Sequence, residues 1–112
     1  MSVAASIAAG SLEDAVSAYR RADYATALRI YRSMADQGRA DAQSNLGSMH
    51  AEGEGVPRDF VQALMWFTLS AAQNHKDGVE NRDRAAGLMS PAQIAEAQKL
   101  AGAWKSTAKP VQ

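Results

Sequence analysis

Apolar residues return every three to four positions along most of the chain, the spacing that places them on one face of an α-helix. Between Leu12 and Arg21 they are Leu12, Ala15, Val16 and Tyr19. Between Tyr24 and Gln37 they are Tyr24, Ala27, Leu28, Tyr31, Met34 and Ala35, a single stripe halted at Gly38. A third helix is expected over 40–52, with Ala42, Leu46 and Met49 inward. Gly53, Gly55 and Pro57 then break the pattern, because residues of that kind so close together do not stay helical. Asp59 is an N-cap candidate for a fourth helix. That helix carries one apolar face of Phe60, Ala63, Leu64, Phe67 and Ala71 and another of Met65, Trp66 and Leu69, so packing on two sides is expected. Asn74 suits the left-handed turn that ends it. A charged fifth helix is expected over 76–89. Ser90-Pro91-Ala92-Gln93 is a strong start signal for the sixth, with Ser at the N-cap, Pro at N1 and Gln at N3. The sixth helix is expected to reach Lys105, turning Ile94, Ala97, Ala101 and Trp104 inward and Gln93, Glu96 and Lys99 outward.

Shifted by 36 residues, the chain overlays on itself. Asp23 falls on Asp59, Tyr24 on Phe60, Ala27 on Ala63, Leu28 on Leu64 and Tyr31 on Phe67. Ala35 falls on Ala71, Gln37 on Gln73, Asp41 on Asp77 and Asn45 on Asn81. The matches lie mainly on stripe positions. A period of this length with two helices per unit marks stacked helical hairpins.

Composition narrows the function classes. The chain has 112 residues, enough for one domain, and is 46% apolar but only 6% aromatic, which suits thin, closely packed helices. Twelve basic and twelve acidic groups cancel, so neither a basic nucleic-acid surface nor an acidic tail is expected. The absence of Cys excludes thiol catalysis, disulfides and cysteine-ligated zinc. No apolar run approaches the ~20 residues that cross a bilayer, so no membrane insertion is expected. The start, Met1 to Gly10, has no basic segment and is not a complete signal peptide; it also fits the remnant of a processed one. The compartment is therefore open between cytoplasm and, with a signal peptide removed, a bacterial periplasm.

The stretch Ala42 to Ala72 resembles the Sel1-like repeat of the tetratricopeptide-type α/α solenoids. Leu46, Gly47, Gly53, Gly55, Val56, Asp59, Ala63, Trp66 and Ala71 match its pattern, and the two-Gly connection separates it from ordinary tetratricopeptide repeats. Residues 12–38 look like a preceding hairpin, and 81–104 like a closing one. His50 stands where the family has Tyr; Asn74 and Ala22 stand where it has Gly, and Ala22 is expected to tighten the first turn. The fold expected is all-α, a short right-handed α/α superhelix of about three antiparallel hairpins over 12–105. Flexible segments are expected at 1–11 and 106–112.

The chemistry-bearing residues favour no reaction. His50, Glu52 and Glu54 have metal-ligand spacing, but no third nitrogen ligand stands nearby, and a half-buried His beside two solvated Glu is the better reading. His75, Lys76 and Asp77 form a helix-start cluster of the same kind. No Ser pairs with His and Asp, no nucleophile elbow occurs, and Gly53-Glu54-Gly55 lacks the Lys of a phosphate loop. Arg20, Arg21, Arg29, Arg32 and Arg39 alternate with Asp23, Asp36 and Asp41, which reads as a solvated mixed face. No metal or cofactor is expected. The resemblance implies an adaptor that binds a protein or peptide, as a monomer or weak homo-oligomer. The alternative is an accessory subunit or small-ligand domain of an enzyme system. By analogy with tetratricopeptide repeats, the partner is expected on the first helix of each hairpin. There it would meet Val16, Tyr19, Arg20, Asp41, Ser44, Ser48, Glu52, Glu80 and Arg84, with Tyr19 and Arg20 as the hot spot.

Overall fold

A computed structural model describes residues 10–107. Its six helices are α1 (Leu12–Arg20), α2 (Tyr24–Asp36), α3 (Ala40–Glu52), α4 (Phe60–Ala71), α5 (Lys76–Ala86) and α6 (Pro91–Ala103). The described residues contain no strand. Most of the expected 1–11 segment lies outside the described residues, but Ser11 caps α1, exchanging hydrogen bonds with Asp14 in a capping box.

The 36-residue overlay is physical. Asp23 and Asp59 accept from the amides of Thr26 and Gln62 and cap α2 and α4. Asp23 is held below the usual carboxylate range by its hydrogen bonds from the Thr26 side chain and backbone. At the other ends of the hairpins, Gly38 (φ 98°) and Asn74 (φ 63°) make the same left-handed turn. In each, two consecutive amides return to the last helical turn: Gly38 to Ala35 and Arg39 to Met34, Asn74 to Ala71 and His75 to Ser70. Ala22 makes this turn too, at φ 60°. Its amide reaches the Tyr19 carbonyl at 2.9 Å and that of Asp23 reaches Ala18 at 2.8 Å. The first turn therefore has the hydrogen-bond pattern of the other two and is not the tighter turn expected, although it is built on a residue that carries a Cβ.

α4 is the centre of the molecule. Its Met65 and Trp66 complete a core with Ala15, Ala18, Ile30, Met34, Leu46 and Met49. Its Ala63, Leu64 and Phe67 join Ala85 and Ala97 in a second. The two apolar faces read in the sequence thus have separate partners. Gly47 makes the close approach: a Cβ there would lie 2.6 Å from the Phe67 ring and 3.1 Å from the Ala63 carbonyl oxygen. Gly78, on α5, does the same against Ser70 and the Ala71 amide.

A buried polar seam joins α2, α3 and α4. Gln43, with no exposure, donates to the Ala35 carbonyl and accepts from Gln73, which also donates to the Gly38 carbonyl. Ser70 donates to the Ala40 carbonyl at 2.8 Å.

The third hairpin departs from the simple stack. α6 packs chiefly on α4, not on α5, because the apolar positions of α5 are few and those of α6 find Trp66 instead. Trp104 stands edge-on to Trp66 at 6.3 Å. α6 ends at Ala103, two residues before the expected Lys105, and Thr107 bonds the Asp36 carbonyl through its amide (2.7 Å) and hydroxyl (3.1 Å). Thr107, expected to fray, is instead tied to the end of α2; 108–112 lie outside the described residues.

Candidate functional site

The first helices of the hairpins, α1, α3 and α5, leave two hollows along one side. The first, about 240 Å³, is lined by Tyr19 of α1, Tyr31 of α2, and Asn45 and Ser48 of α3. The second, about 130 Å³, lies between α3 and α5 over a floor of Phe60 and Phe67 from α4. Its walls include Ser48, Ala51, Glu52, Asn81, Arg84 and Leu88. Ser48 belongs to both hollows, so they form one strip.

Tyr19, Ser48, Glu52 and Arg84, four of the residues expected to meet a partner, are brought together on this strip. Arg20 and Glu80 are exposed but line neither hollow. Val16 packs half-buried on the first core. Asp41 is held by Arg39 at 2.7 Å. Ser44 requires a correction: at 4% exposure it is buried and unavailable to a partner. Successive residues of a helix advance by about 100°, so Ser44 stands about 80° round the helix from Glu52, on the side turned into the molecule.

The strip is electrostatically uneven. Tyr19 donates to both oxygens of Glu54, at 2.8 and 2.9 Å. That bond, followed by burial and the nearby charges of Glu54 and Glu52, pushes its phenol up to about 12. Its ring also meets that of Tyr24 at 5.3 Å, so Tyr19 both packs on the second helix and lines the strip. Burial, and behind it the charge of Asp41, raises Tyr31. Arg21, Arg32, Arg39 and Arg82 each stand beside an Asp. Arg20 and Arg84 are paired with no carboxylate among the described residues. Leu88, at 69% exposure, is the most exposed large apolar side chain described.

Asn45, Asn81, Tyr31 and Leu88 were not among the expected site residues. A signal for the two Asn was present: the overlay repeats them at a position outside the apolar stripe, where packing does not ask for Asn. Tyr31 sits on the stripe and reads as core, which its ring is. Leu88 lies beyond the end of α5, where periodicity no longer orients it.

His50, Glu52 and Glu54 do not converge. Glu54 serves Tyr19, Glu52 faces the second hollow, and His50 is half-buried with its Nδ1 buried and without a partner among the described residues.

Comparison with known proteins agrees with this architecture. A search of curated proteins gave no match. The Sel1 repeat model matches residues 17–38 and 40–75. Among solved structures, the chain is similar to c5321, a protective antigen of uropathogenic Escherichia coli strains displaying an SLR fold. The identity is 32% over 72% of this chain, with a TM-score of 0.69, and the match spans 18% of that protein. Repeats of this kind mediate contacts between proteins. With more than half its length matched, its two-Gly connection in place and the two helices of its second hairpin closing on Gly47, the chain belongs to the Sel1 repeat family.

Proposed function

We propose that this chain is a non-catalytic adaptor that docks a protein or peptide partner along the strip formed by α1, α3 and α5. The observation that carries this reading is the continuity of the two hollows through Ser48, with uncommitted polar side chains and an exposed Leu88 along them. A partner lying across them covers Leu88 and the half-buried Phe60 and meets Arg84 without displacing an internal ion pair. Aromatic and Arg side chains carry most interface energy, and the strip offers Tyr19 and Arg84.

Site-specific photocrosslinking tests it. A benzoylphenylalanine at Ser48 or Arg84 should capture the same partner, and one at Lys99, on the outer side of α6, should not. Once that partner is in hand, Arg84→Ala should weaken it by ~1–2 kcal/mol without lowering thermal stability. Capture from Lys99 alone would refute the placement.

A further inference from the structure

Tyr31 is 4% exposed, yet it lines the first hollow and its hydroxyl has no hydrogen-bond partner among the described residues. That hydroxyl is not sealed in: it opens into the hollow, where water can reach it. The side chains of Asn45 and Ser48, which line the same hollow, are equally uncommitted. Three groups able to accept a hydrogen bond therefore border one hollow of about 240 Å³, with Tyr19 as its fourth side.

The charged side chains that act on the two tyrosines of this hollow are acidic. No Lys or Arg lines it. Glu54 holds the Tyr19 hydroxyl, and Glu52 adds to the field there. Asp41 acts on Tyr31 but is already paired with Arg39, so Glu52 and Glu54 supply the net charge. A carboxylate entering here would meet no cation and two acids. An apolar group would leave three polar side chains without water or partner.

We propose that the hollow between α1 and α3 is a recognition site for a primary ammonium group, the end of a lysine side chain on the docked partner. An ammonium has three donors and no acceptor, matching Tyr31, Asn45 and Ser48 as acceptors, and the Tyr19 ring offers a π-face beside it. Glu52 and Glu54 balance the charge through space. The inference rests on the adaptor reading and names what one part of the strip selects.

The test uses the ¹⁵N-labelled full chain and two small probes, followed by amide shifts. One probe is Nα-acetyl-lysine N-methylamide; the other is its Nε-acetylated form, equally long but uncharged. The charged probe should shift Tyr19, Asn45 with its carboxamide, and Ser48, and should bind at least about tenfold more tightly than the neutral one. Tyr31→Phe removes only a hydroxyl with no internal partner, so it should weaken the charged probe several-fold and leave the melting temperature unchanged. Equal binding of the two probes, an indifferent Tyr31→Phe, or no shift in the hollow at tens of millimolar charged probe would each overturn the inference. The adaptor reading fails separately, on a partner that crosslinks from Lys99 and not from Ser48 or Arg84.

Discussion

Ala22 is the residue at which local chemistry and fold disagree most. Its φ of 60° lies in the left-handed region, where a Cβ costs roughly 1–2 kcal/mol. Glycine adopts that conformation without the clash but gives up more chain entropy. Ala22→Gly is therefore expected to stabilise the protein by about 0.5–1 kcal/mol, read as a higher urea midpoint at unchanged slope. A lower midpoint would mean that the turn is not left-handed in solution. His50 makes a second residue-scale prediction. Burial lowers its imidazole below the usual 6.5; Asp59 opposes this and Arg32 of α2 adds to it. The unfolded chain therefore binds the proton more tightly than the fold does. The stability this group contributes is whole above pH 6.5 and is lost as pH falls through the lowered folded value. Chemical denaturation of the wild type should show that decline. In His50→Tyr, which restores the residue usual in the family, the slope between pH 6.5 and the carboxylate range should flatten whatever its absolute stability. An identical slope would remove His50 as its origin.

At the scale of elements, helix positions were legible because all but the charged α5 carry an apolar stripe and most carry a stop or start residue. The six helices differ from expectation by a few residues at most, and Ser90, Asp59, Gly38 and Asn74 act as read. Three features were not legible, each for a physical reason. Gln43 is polar, so hydropathy places it outside, yet its amide is spent on Ala35 and Gln73. Ser44 is small and carries no hydropathy sign, so only the neighbouring helices decide its burial. The preference of α6 for α4 depends on Trp66, distant in sequence. Two glycines in helices test how far packing overrides propensity. A Cβ at Gly47 meets the Phe67 ring and the Ala63 backbone, neither free to withdraw, so Gly47→Ala should cost ~1–3 kcal/mol. At Gly102 nothing lies within 4 Å, so Gly102→Ala should gain up to about 1 kcal/mol from helix propensity alone. Thermal melts of the pair should move in opposite directions, and a shift of the same sign in both would contradict the close approach at Gly47.

At the scale of the molecule, a solenoid must close its last apolar face, or that face stays wet. The resemblance of 81–104 to a closing hairpin implies that α6 shields α5. The packing instead lays α6 across α4, where Leu100, Ala101 and Trp104 cover the core at Trp66 while Ile94 and Ala97 cover the one at Phe67. One helix therefore seals both cores, and Thr107 fastens the chain beyond it to α2. Removing 90–112 should uncover Trp66, Met65 and Phe67 together, an apolar patch of the kind that drives association. Removing only 106–112 should leave the seal intact and cost about 1 kcal/mol, the order of the hydrogen bonds lost at Asp36. Size-exclusion chromatography with light scattering separates the two cases. The long deletion should elute as aggregate with a red-shifted Trp66 emission, and the short one as the wild type does. A monomeric long deletion with the helical signal of five intact helices would show that α4 needs no cover, and that the third hairpin serves the strip on α5 and not the core.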